Sequence, residues 1–149
     1  MRVLIGVIVV FLSSIAFADN GVVALKSHYS VKITMDRLQN VLKNKGMTIF
    51  KRVDHAQGAA SVGKTLRPTE LLIFGNPKVG TPLMQCAQTV ALDLPQKMLV
   101  WEDSEGIVWL GYNSPNYLAE RHRISGCDQV LNKVSTALGN FAKAATQKK

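Results

Sequence analysis

The feature that most restricts the fold is a tight hairpin in the second half of the chain. Two apolar runs, Lys97-Met98-Leu99-Val100-Trp101 and Ile107-Val108-Trp109-Leu110-Gly111-Tyr112, flank Glu102-Asp103-Ser104-Glu105-Gly106, a turn with glycine near its end. A hairpin joins antiparallel neighbours, whereas a doubly wound fold links parallel strands through crossover helices. Strands and helices alternate elsewhere. The expectation is therefore an α+β fold: a mainly antiparallel sheet with helices packed on one face, in a single compact domain.

The remaining elements follow from periodicity and punctuation. Val22–Tyr29 reads as a strand. Thr34 reads as the N-cap of a helix whose apolar face is Met35, Leu38, Val41 and Leu42, ending at Gly46. Met47–Val53 is a second strand, and Asp54 caps one or two helical turns reaching towards Gly63. Glu70–Phe74 is nearly continuous apolar sequence, the pattern of a strand buried on both faces. Gly75-Asn76-Pro77 turns the chain. Thr81 with Pro82 predicts a helix over Leu83–Thr89. Asn113-Ser114-Pro115 opens a short helix through Arg121-His122. Ser125, with Asp128 three residues on, predicts a capped final helix striped by Val130, Leu131, Val134, Ala137, Leu138, Phe141 and Ala142.

The N-terminus reads as an export signal. One charge at Arg2, an uncharged apolar run over Val3–Phe17, and the small-residue exit Ala16-Phe17-Ala18 make a secretory signal peptide over residues 1–18, cleaved after Ala18. The run is too short for a bilayer span, so the expected mature chain, 19–149, is periplasmic with no membrane span. The net charge is +8 for the chain and +7 once Arg2 is lost. The basic residues are scattered rather than clustered with aromatics on one face. That argues against nucleic acid as a partner and for a solvated basic surface.

Several motifs dissolve on inspection. Gly58–Thr65 matches the letters of a phosphate-binding loop, but no buried strand precedes it and Pro68 stops any helix after it. Glu102, Asp103 and Glu105 belong to the hairpin turn. His28, His55 and His122 have no metal-ligand spacing, so neither a metal nor another cofactor is implied. Cys86 and Cys127, in an oxidising compartment and without C-x-x-C spacing, read as a structural disulfide; the alternative is two buried thiols.

Leu71-Leu72-Ile73-Phe74-Gly75-Asn76-Pro77-Lys78-Val79-Gly80-Thr81-Pro82-Leu83-Met84 resembles the signature of the bacterial domain-of-unknown-function family 302. So do Asp54-His55, Arg67-Pro68-Thr69-Glu70, Asp93-Leu94-Pro95-Gln96-Lys97, Val100-Trp101-Glu102-Asp103, Tyr112-Asn113 and Tyr117-Leu118-Ala119-Glu120-Arg121-His122. The resemblance covers residues 22–143. It implies a small α+β domain that forms a homodimer, and it implies no established reaction.

Two functions fit these residues. The first is an exported binding module for a small polar or anionic ligand or an envelope partner. Its expected site is a loop over Gly75, Asn76, Lys78 and Gly80 at the N-terminus of a helix capped by Thr81. Arg121 and His122 would form the far wall, with His55 as a further contributor. The second is a small enzyme using His55, oriented by Asp54, or His122 as general acid/base. The structural readings compete with both: the loop as a plain turn and cap, the histidines as satisfied end residues.

Overall fold

The computed structural model describes residues 16–17 and 21–148. The rest of the predicted signal peptide and its exit lie outside the described residues. The element order is β1 (Ala16–Phe17), β2 (Val22–Lys26), α1 (Val31–Asn44), β3 (Thr48–Asp54), α2 (His55–Ser61), β4 (Thr69–Gly75) and α3 (Pro77–Cys86). A short 3-10 helix (Gln88–Leu92) follows, then β5 (Gln96–Glu102), β6 (Val108–Asn113), α4 (Pro115–Arg121) and α5 (Asp128–Thr146). The strands form one antiparallel sheet in the order β1-β2-β6-β5-β4-β3. The expected hairpin is β5–β6. Its Asp103 accepts from the amides of Glu105 and Ile107 and from the Trp109 indole N–H. The Trp109 bond, first, and those amides hold the Asp103 carboxyl below the usual aspartate value. The acidic cluster thus builds the turn.

Helices α1 and α5 pack against each other on one face of the sheet. Met35, Leu38 and Leu42 of α1 meet Leu72, Phe74, Met98, Val100 and Leu110 of the sheet, all fully buried. Leu131, Val134, Leu138, Phe141 and Ala142 bring in the α5 stripe. Arg52 of β3 ties three elements by pairing with Asp36 of α1 and Glu70 of β4. The Arg52 hydrogen bond, with help from Lys32, lowers the Asp36 pKa.

Among the described residues no helix covers the other face of the sheet. Period-two alternation puts Leu71 and Ile73 of β4 beside Leu99, Trp101 and Trp109 there, all half-buried. The reading of β4 as buried on both faces is therefore corrected. A continuous apolar run looks the same whether its outer face meets helices or only neighbouring side chains such as Trp101.

The helix starts also differ from expectation. Ser30, not Thr34, caps α1, accepting from the Ile33 amide. Val31 joins the buried face, which pulls the start back one turn. Thr34 is buried, and its hydroxyl donates to the Ser30 carbonyl at 2.9 Å. The C-terminus is as expected: Gly46, at φ +71°, sends its amide to Lys43 O, and Met47 N reaches Leu42 O. Helix α5 starts at Asp128 behind Cys127, not at Ser125. Gly126, at φ +71°, turns the chain just before it. Asp54 caps α2 as expected, and Gly58–Ser61 lie inside that helix, so they cradle no phosphate. Cys86 and Cys127 form a disulfide, with Cα atoms 6.5 Å apart, that joins the end of α3 to the start of α5.

Candidate functional site

At the end of the sheet where β4 finishes and β5 begins lies a cavity of about 260 Å³. Met47 and Phe50 form one wall, Pro77, Val79 and Met84 of α3 another, and Ala91, Leu94 and Pro95 a third. Gly75 makes room for Phe50, because a Cβ there would stand 3.2 Å from the Phe50 ring. Lys97 holds the third wall by donating to the carbonyls of Asp93 (2.8 Å) and Pro95 (3.0 Å). Among the lining residues only Asn76, Thr81 and Gln96 carry polar side chains, and none is ionisable.

The anion-binding loop expected over Gly75–Gly80 does not form. Helix α3 begins at Pro77 with Asn76 as its cap, and Thr81 and Pro82 lie inside it. Asn76 Oδ1 accepts from Lys78 N, and Asn76 O accepts from both Val79 N and Gly80 N, each at 2.9 Å. Pro77 has no amide hydrogen to offer. The chain thus satisfies the first turn itself. Both Asn76-Pro77 and Thr81-Pro82 carry the cap-then-proline signature, and the earlier pair forms the cap.

Gly75, Asn76, Gly80 and Thr81 do line the cavity; Lys78 does not. His55 is far from it. It opens α2 beyond Asp54, which pairs with Glu70, whereas the cavity adjoins the Thr48–Gly75 end of the same strand pair. Seven residues of strand separate the two ends by about 20 Å.

Arg121 and His122 lie against the wall segment without lining the cavity. Residues three apart share a face of a 3-10 turn. Ala91 and Leu94 face the cavity, and Val90 is buried. Thr89 and Asp93 face His122, whose side chain is only 4% exposed. Its Nε2 hydrogen-bonds Asp93 Oδ2, and its Nδ1 lies 3.1 Å from Thr89 Oγ1. Arg121 Nε stands 3.4 Å from the same Asp93 oxygen, and its terminal nitrogen donates to Tyr117 Oη at 3.2 Å. The expected composite pocket thus separates into an apolar cavity and a polar cluster on two sides of one segment. Sequence reasoning missed Met47, Phe50, Leu94, Thr89 and Asp93, which reach these places only through tertiary packing. No group of metal-ligating side chains occurs among the described residues.

The sequence pattern of the family described as domain of unknown function DUF302 matches residues 23–141. An uncharacterized conserved DUF302 protein of Bacillus stearothermophilus has the same fold, with a TM-score of 0.76 over 84% of this chain and 98% of that one at 17% identity. Two curated relatives are 45% identical over 128 residues, 85% of this chain: fluoride-specific ion channel FluC 1 of Brucella suis biovar 1 (strain 1330) and FluC 2 of Brucella melitensis biotype 1 (strain ATCC 23456 / CCUG 17765 / NCTC 10094 / 16M). The match covers 50% and 47% of those proteins, so the chain spans about half the length of the curated relatives it matches.

Proposed function

This chain belongs to the family of the domain of unknown function DUF302, and we propose that it is an exported module that binds a small apolar or amphipathic ligand at the end of its sheet. The observation that carries the reading is the cavity between α3, Phe50 and the Ala91–Pro95 wall, concave and lined almost wholly by carbon. A free anion is disfavoured there, because the α3 amides are already bonded and no cation lines the walls. The basic surface still favours ligands that carry a negative head outside the cavity.

Export to the periplasm belongs to the same reading and rests on the first 18 residues. Cleavage after Ala18 removes β1 and leaves β2 as the sheet edge. The curated relatives support a place beside the membrane. Channel activity needs membrane-spanning structure, and among the described residues no helix is long and apolar enough to cross. Fluoride conduction belongs to those longer proteins, of which the match covers about half, and forms no part of this reading. Pairing of two copies, as the family resemblance implies, would use the uncovered sheet face.

The binding reading is tested at Gly80. A Cβ there would meet Leu94 Cδ1 at 3.8 Å and Met84 Cε at 4.0 Å, ordinary contacts that point into the cavity. Gly80→Leu should fill the space and also remove a helix-interior glycine, which costs roughly 0.5–1 kcal/mol relative to alanine. Fluorescence titration with phenylnaphthylamine should give saturable binding at one site per chain. The variant should bind at least about tenfold more weakly, a loss of roughly 1.4 kcal/mol, at an equal or higher unfolding midpoint. Unchanged affinity in a folded Gly80→Leu protein would rule the cavity out.

A further inference from the structure

Thr89, His122 and Asp93 form a hydrogen-bonded relay that ligand binding in the cavity does not use. We propose that this relay makes the Thr89 hydroxyl a nucleophile for acyl transfer, with small uncharged esters as its substrate class.

The assignment of protons follows from the partners. An ionised Asp93 carboxylate can only accept, so His122 Nε2 carries the hydrogen in the neutral ring. His122 Nδ1 is then a lone-pair acceptor, and the Thr89 hydroxyl 3.1 Å away donates to it. A nucleophile bonded to a base, with the base oriented by a third group, is the arrangement that activates a hydroxyl. Such a triad is recognised by geometry and roles rather than by order in the chain. The base and its orienting partner are sheltered, with side chains 4% and 15% exposed, while Thr89 is exposed to solvent. A reacting ester can therefore reach the hydroxyl without displacing the pair behind it.

The substrate class follows from the surroundings. Leu92 stands one 3-10 turn beyond Thr89 on the same face and is 77% exposed, an apolar surface for a short acyl group. Thr89 Oγ1 attacks the ester carbonyl carbon as its proton passes to His122 Nδ1. The carbon–oxygen bond to the alcohol breaks, and the alkoxide takes that proton and leaves. Water then attacks the Thr89 acyl ester, giving a proton to Nδ1. The Thr89 oxygen departs with it, and a carboxylic acid is released. Ester and water become acid and alcohol, with no other reactant. Asp93 holds the imidazole in the needed tautomer; Arg121 sits beside that carboxylate and is not assigned a step.

The test uses the purified protein with para-nitrophenyl acetate, whose acyl group is too short to depend on the apolar cavity. Wild type should release nitrophenol saturably above buffer. Thr89→Ala, at an exposed position, should keep the unfolding midpoint and lose about 100-fold or more of the rate, while Thr89→Ser should retain it. An alkyl fluorophosphonate should add once per chain, with the phosphonyl group on Thr89 Oγ1 and fluoride leaving, and the mass of the tryptic peptide should place it there. The phenylnaphthylamine titration is run on the same wild-type protein, so failure of this proposal shows in the acetate assay and failure of the cavity reading shows in the titration. Equal rates for wild type and Thr89→Ala, or a label absent from Thr89, would overturn the nucleophile and leave the relay as a clamp between the wall segment and α4.

Discussion

Reduction of the Cys86–Cys127 bond should lower the free energy of unfolding by up to about 4 kcal/mol. The bridge spans a sequence separation of 41 residues, and chain entropy in the unfolded state gives that figure for a loop of this size. Total stabilities of domains this size are about 5–15 kcal/mol, so the loss is a large fraction. The effect should reach the cavity too. Cys86 is the last residue of α3, and α3 supplies the Pro77, Val79 and Met84 wall. Freed from the start of α5, that wall keeps only its packing and the Asn76 Nδ2–Gly46 O hydrogen bond, and probe binding should weaken with stability. Urea unfolding with and without reductant measures the first effect, and the phenylnaphthylamine titration measures the second. The double variant Cys86→Ala/Cys127→Ala should behave like the reduced protein. Two titratable thiols per chain in the denatured, unreduced protein would show that the bridge is not there to lose. The same bond bears on compartment, because an unreduced pair is what an oxidising environment preserves.

Features set by neighbours in sequence were legible before the structure. The β5–β6 hairpin, the Gly46 helix end, the Asp54 cap and the α5 stripe all follow from residues within one or two turns of each other. Where two local signals competed, the choice went astray. Thr34 and Ser30 both suit an N-cap, and burial of Val31 selects Ser30. Asn76-Pro77 and Thr81-Pro82 both suit a helix start, and α3 tolerates Pro82 inside it. That single displacement moved the candidate site from an anion loop to a satisfied helix end. The cavity itself needs Phe50 from β3, Val79 from α3 and Leu94 from the wall, residues up to 44 positions apart, and no local pattern brings them together. His122 was visible as a candidate, but its partners Thr89 and Asp93 lie 33 and 29 positions away.

Adjacent leucines in β4 should respond very differently to truncation. Leu72 points at α1 and is fully buried, paired across from Met98; Leu71 points to the uncovered face and is half-buried, paired across from Leu99. Leu72→Ala should cost about 3–5 kcal/mol, the transfer term plus a cavity that the packed helix face cannot close. Leu71→Ala should cost about 1 kcal/mol, because the alanine site stays open to water and no cavity is sealed. Chemistry, backbone and strand are the same for both, so the difference isolates burial. Chemical denaturation of the two variants at low protein concentration gives the comparison. Equal large losses would mean that the second face is covered in solution. A Leu71→Ala penalty that appears only as protein concentration rises would identify the cover as a second copy of the chain, since only association depends on concentration. A penalty constant with concentration would instead mean that Leu71 is buried within its own chain.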